Sequence, residues 1–112
     1  MSIEVSENRT GGALVLSPIG RLDSANAHSF ETTVMGHVGS GERRIVIDFG
    51  QLNFISSSGL RILLIVAKAL RTDGGKLVLC SMKDHIREVF DISGFGQIIP
   101  IEDSLEGALG TV

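Results

Sequence analysis

The sequence predicts an α/β fold built on a mostly parallel sheet. Three observations carry that expectation. From the second strand onward, short β-branched or leucine-rich runs alternate with longer segments of helical spacing, the pattern of parallel strands joined by covering helices. Glycine is frequent, at fourteen of 112 residues against a usual share of about 7%, and it falls between the apolar runs as turn punctuation. The length fits one domain, residues 1–112, and a content of 43% hydrophobic and 21% charged residues suits a buried core.

The elements follow in order. Ile3 to Ser6 alternates apolar and polar residues, and Ala13-Leu14-Val15-Leu16 is apolar. This predicts two short strands joined by a turn at Asn8 to Gly12. Pro18 cannot donate to a ladder, so the second strand is expected to end or kink there. Asp23 or Ser24 is suited to cap a helix from about Ala25. Phe30, Val34 and Val38 share its inner face, and Gly36, Gly39 and Gly41 stop it. Arg44 to Phe49 reads as a buried strand and Gln51 to Ile55 as a connector. Ser56-Ser57-Ser58-Gly59 leads into the clearest helix, Leu60 to Arg71, which ends at Thr72-Asp73-Gly74-Gly75. Lys76 to Cys80 is the next strand, Met82 to Ile92 a helix, and Ile98 to Ile101 a last strand. Ser104 to Leu109, capped by Asp103, closes the order β-β-α-β-α-β-α-β-α.

Several functions are disfavoured. Ten basic against thirteen acidic residues, net charge −3, give no phosphate-binding surplus for nucleic acid. The five aromatics are all Phe, so few bases or sugars find a stacking platform. The longest unbroken apolar run, Ile62 to Ala67, is far short of the ~20 residues that span a bilayer, so no membrane insertion is expected. No secretory pattern opens the chain, and Cys80 has no disulfide partner; a cytoplasmic protein is expected. His28, His37 and His85 lack ligand spacing, so no metal is expected. Gly75-Lys76 is followed by Leu77 and has no earlier glycine in place, so no phosphate-cradling loop forms. Gly94-Phe95-Gly96 is half of a dinucleotide fingerprint, a fragment that ordinarily marks a turn. A serine hydrolase would need glycine where Ile55 stands. A phospho-aspartate receiver would need an acidic pair after its first strand, and the residues that follow Leu14-Val15-Leu16 are Ser17-Pro18.

The serine cluster remains. One serine suffices to cap the helix, which leaves two unexplained. Arg61 stands in the first turn, where the dipole disfavours a cation by about 0.3–1 kcal/mol, and no Glu or Gln completes a capping box. A helix start with serines, Gly59 and Arg61, and no acid, favours an anion, and a phosphate on Ser57 would meet Arg61 four residues on. At ~100° per residue Arg61, Lys68 and Arg71 share a stripe with Leu64 inside it. Either a neighbouring helix covers Leu64 or a partner does.

The stretch Ile45-Val46-Ile47-Asp48-Phe49, Leu52, Phe54-Ile55-Ser56-Ser57-Ser58-Gly59-Leu60 resembles the anti-sigma-factor antagonist family, whose fold is the STAS domain. Gly20-Arg21-Leu22-Asp23 and Val89-Phe90-Asp91-Ile92-Ser93-Gly94-Phe95 extend the likeness over nearly the whole chain. The resemblance implies a single STAS-like α/β domain. Its sheet would be mixed, mostly parallel and four- to five-stranded, with the first strand antiparallel and helices mainly on one side. It implies no catalytic activity and no cofactor. Family members bind an anti-sigma factor that is itself an ATP-dependent serine kinase. Phosphorylation at the helix start ends the binding, and a serine phosphatase restores it. By motif position Ser57 would be the phosphorylation site, with Asp23 and Ser58 in the kinase-contact surface; with Ser56, Gly59, Arg61 and Leu64 from the helix start and stripe, they make up the expected partner-binding surface. Many members carry aspartate where Ser56 stands, although serine-rich relatives exist; this leaves open whether Ser56 or Ser58 accepts the phosphate instead. The fold also serves non-phosphorylated adaptors, such as subunits of lipid transporters.

Overall fold

A computed structural model describes residues 2–112. The chain runs β1 (Glu4–Thr10), β2 (Ala13–Leu22), α1 (Ala27–Gly39), β3 (Arg44–Asp48), β4 (Leu52–Ile55), α2 (Ser57–Thr72), β5 (Lys76–Cys80), α3 (Asp84–Ser93), a 3-10 turn (Phe95–Gln97), β6 (Ile101–Glu102) and α4 (Leu105–Thr111). The sheet order is β1-β2-β3-β5-β6, and β4 pairs separately with β2, making six strands among the described residues. Among the described strand pairs only β1–β2 is antiparallel.

The β1–β2 turn is two residues long, Gly11 (φ +59°) and Gly12 (φ +83°). Two consecutive left-handed residues give the tight hairpin whose twist matches its strands, so both strands are longer than the sequence predicts. β2 does not stop at Pro18. It pairs with β3 over Leu14–Leu16 and with β4 over Gly20–Leu22. Pro18 lies in the gap between the two pairings, where its missing N–H interrupts neither parallel ladder.

Side chains alternate across the sheet. Leu14, Leu16, Ile45, Ile47, Leu77 and Leu79 face the main core. There they meet Phe30 and Val34 of α1, Leu63, Val66 and Leu70 of α2, and Ile86 and Phe90 of α3. Val15, Val46, Val78 and Cys80 face the other way, under Ala108 of α4 and its neighbours Leu105 and Leu109. Three helices therefore cover one face, and the short α4 covers the other.

The element ends differ in detail from expectation. Asn26, not Asp23 or Ser24, occupies the N-cap position of α1. α3 starts at Asp84, after Lys83. α4 is capped by Ser104, whose Oγ accepts from the Gly107 N–H at 3.0 Å. β6 is only two residues long, because Phe95–Gln97 form a 3-10 turn and Ile99 drops into the core.

Packing at Gly59 sets the position of α2. A methyl group there would lie 2.8 Å from Ile55 Cγ1 and 2.9 Å from Leu22 Cγ. Gly36 in α1 has open space around its Cα. Gly36→Ala is therefore expected to stabilise the protein by about 0.5–1 kcal/mol, the ordinary helix-propensity gain. Gly59→Ala should reverse that sign, with a loss of about 1–3 kcal/mol from overpacking. Denaturant unfolding of the two variants checks both.

Burial pushes the Cys80 thiol up from its ordinary range, against a smaller lowering by its contact with Ser81. The folded thiol then stays protonated where the unfolded one ionises, so the associated stability is present at neutral pH and declines as pH rises past about 8.5. A thiol reagent at fixed pH is expected to label Cys80 only as fast as the protein opens, and rapidly in denaturant.

Candidate functional site

The candidate site is where β2 and β4 end side by side and α2 begins. Leu22 and Ile55 are register partners there and both are buried. The Ser56 N–H donates to the Leu22 carbonyl at 2.9 Å, tying the entry of α2 to the end of β2. Ser56 has an extended backbone and is the N-cap; its Oγ accepts from the Gly59 N–H at 3.3 Å. Its carbonyl accepts from the Leu60 N–H at 3.0 Å. One serine thus satisfies the helix start.

Ser57 is the first residue of α2 and is exposed. With the cap supplied by Ser56, its hydroxyl enters no hydrogen bond among the described residues. The Ser57 and Ser58 amides likewise have no carbonyl or side-chain acceptor among those residues. α2 has no acid in its first turn. Two amides without an acceptor and a helix start without an acid therefore adjoin an unengaged hydroxyl.

Asp23 follows β2 in a loop closed on itself. Its Oδ1 accepts from the Ala25 N–H and its own N–H donates to Asn26 Oδ1, each at 3.0 Å. Asn26 Nδ2 in turn donates to the Arg21 carbonyl at 2.8 Å. The loop is held by side chain–backbone bonds without regular structure.

The predicted site residues fall into four settings. Asp23, Ser56 and Ser57 belong to the junction of β2, β4 and α2. Ser58 and the exposed Arg61 line a groove of about 300 Å³ between α1 and α2, with Ser24, His28 and Glu31 opposite. Gly59 faces inward, so its role in the site is to let α2 approach the strands. Leu64 is half-buried: it packs against the core on one side and borders a separate groove on the other.

Two residues of the site escaped the sequence reading. The Arg21 guanidinium lies 4.2 Å from the centre of the Phe54 ring, and Arg21 and Phe54 are register partners on β2 and β4. Arg21 also sits 3.8 Å from Asp23. Phe54 is one of three exposed large hydrophobic residues among those described. The sequence carries no signal for it: β4 is buried at Leu52 and Ile55 and exposed at both Asn53 and Phe54, so it does not alternate, and its register with β2 shifts beside Arg21.

Among the described residues no three His, Cys, Asp or Glu side chains gather as a metal site, and no helix is long and apolar enough to cross a membrane.

The comparisons agree with this architecture. The STAS domain family model matches residues 4–108. BtrV of Bordetella bronchiseptica, whose name proposes an anti-sigma factor antagonist, is 46% identical over 106 residues, covering 95% of this chain and 91% of its own. The crystal structure of an anti-sigma factor antagonist from Mycobacterium paratuberculosis superposes with a TM-score of 0.90 at 25% identity, covering 99% of this chain and 94% of that one. The Bacillus cell fate determinant SpoIIAA in its phosphorylated form shares the fold, with a TM-score of 0.73 at 22% identity and 98% of each chain covered. With a β1–β2 hairpin leading a parallel sheet, a serine-capped α2 packed on its face and a family match over nearly its full length, this chain belongs to the STAS domain family.

Proposed function

We propose that this chain is an anti-sigma factor antagonist. It binds an anti-sigma factor that is a serine kinase, and phosphorylation of Ser57 ends that binding. The observation that carries the reading is the division of labour at the start of α2: Ser56 caps the helix, which leaves the Ser57 hydroxyl exposed and unengaged. The name of the Bordetella relative supports the antagonist role, and the phosphorylated SpoIIAA structure supports covalent switching on this fold. Ser56 is the weaker acceptor because its Oγ is occupied as the cap.

In the transfer, Ser57 Oγ forms a bond to the γ-phosphorus of ATP held by the kinase. The bond to the β-phosphate bridging oxygen breaks, ADP leaves, and the hydroxyl proton passes to a base of the kinase. The chain itself supplies no catalytic group and needs no cofactor. A serine phosphatase returns the hydroxyl by hydrolysis. The phosphate adds about −2 charge at neutral pH beside two unspent amides and Arg61, a setting that tolerates an anion in the free protein. Inside an interface the same dianion meets desolvation and the partner's surface. A loss of about 3–4 kcal/mol there weakens binding by hundreds-fold. Asp23, Ser58 and the Arg21–Phe54 pair flank Ser57 in the contact surface, while Gly59 positions the helix. The setting implied is the cytoplasm.

Incubation with the cognate kinase and ATP, followed by intact-mass measurement, is expected to show one added phosphate on the wild type and none on Ser57→Ala. Ser57→Asp should keep the wild-type melting transition yet bind the kinase far more weakly. Wild-type binding with no mass gain would instead assign the chain to the non-phosphorylated adaptors of this fold.

Truncating the aromatic anchor tests the flanking surface separately. Phe54→Ala removes the face on which Arg21 rests and is expected to weaken kinase binding by about 1–2 kcal/mol, the scale of an interface anchor. Titration of the kinase against the variant measures it.

A further inference from the structure

We propose that the C-terminal part of α2 is a second docking surface, shaped for an acidic amphipathic helix of the kinase partner. This rests on the functional reading above and extends it to a region remote from Ser57. Leu64, Ile65 and Ala67 of α2 and Ile98 of the α3–β6 connection line an open groove of about 310 Å³, with Lys68 and Arg71 also lining it. An adjoining hollow of about 230 Å³ shares Ala67, Arg71 and Ile98 and continues to Lys76. Ile98 is 49% exposed, although the residues on either side of it in the groove pack against the core.

The charge of the groove names its occupant. From Ser57 to Thr72, α2 contains three cations, Arg61, Lys68 and Arg71, and no Asp or Glu, in a chain whose net charge is −3. All three are exposed, and none enters an ion pair among the described residues. No acid at i±3 or i±4 on α2 pairs with these cations, so their charge is left for an acidic partner to complement. An apolar floor with a cationic rim fits a helix that presents apolar residues at i, i+3/i+4 and i+7 and acids on its flanks. The groove has no aromatic platform for bases, which favours a protein partner over a nucleic acid. Arg71 stands fourteen residues from Ser57, about 21 Å along the helix, so this contact anchors the partner without touching the reacting hydroxyl.

The test titrates the purified cognate kinase against the intact chain, the Lys68→Glu/Arg71→Glu double variant and Ile98→Asp, with thermal melting as the fold control. Both variants are expected to bind about tenfold more weakly. As phosphoacceptors they should show a KM raised about fivefold with kcat unchanged. Wild-type affinity should fall more steeply with added salt than that of the double variant. Should Ile98→Asp unfold, the double variant decides, because both of its changes are on exposed side chains. Wild-type affinity and KM in the folded double variant overturn this inference while leaving the functional reading intact. A wild-type chain that neither binds the kinase nor gains phosphate overturns both. A self-associated form of the chain that the same substitutions dissolve assigns the groove to a second copy and overturns the proposal.

Discussion

The contact between Gly59 and the paired strand ends at Leu22 and Ile55 governs the site. Two strands arrive in parallel, their last residues are buried, and the next helix must start almost on top of them. A side chain at position 59 would collide with both strands. Glycine gives up helix propensity there in exchange for a helix axis close to the sheet. Ser56 then fits between strand and helix, with its N–H donating to β2 and its Oγ capping α2. Both are local consequences of the same close approach.

That arrangement separates the fold from the switch. A lone serine at a helix start is committed to its cap, and a phosphate on it would compete with the bond it makes. In this chain Ser56 makes that bond, and the neighbouring hydroxyl takes no part in the hydrogen bonding of the fold. A charge added to Ser57 breaks no hydrogen bond among the described residues and lies where the helix dipole favours it by about 0.3–1 kcal/mol. The free protein has little reason to rearrange, so the consequences of the charge fall on whatever covers that surface.

The sequence made the architecture legible wherever a periodicity had room to repeat. α2, with buried Leu60, Leu63, Val66 and Leu70, and β3 and β5, buried on both faces, carry patterns long enough to read. β4 does not: it is four residues long, its middle is Asn53-Phe54, and it pairs through a second ladder off β2. No local pattern announces a pairing made by a distant strand. Pro18 misled for the same reason, since its tolerance comes from β2 changing partners around it. At the site, the serines and Arg61 were visible as residue types, and Gly59 was visible as part of the motif. Its inward direction, and the stacking of Arg21 on Phe54, arise from three-dimensional proximity and had no signal of their own.

α2 is asked to be two things at once. Its inner stripe sits in the main core, against α1, β5 and β4, and that packing leaves it no freedom to slide or rotate without opening cavities of the kind that destabilise a protein by kilocalories. Its outer stripe is cationic and its N-terminal end is open to an anion. A helix so fixed offers a partner a surface of constant shape. Regulation through such an element must act on charge, because shape is already committed to the core. A phosphoryl group at the first turn changes charge by about −2 with the helix held still, and the same rigidity keeps Lys68 and Arg71, about three to four turns away, in register with it.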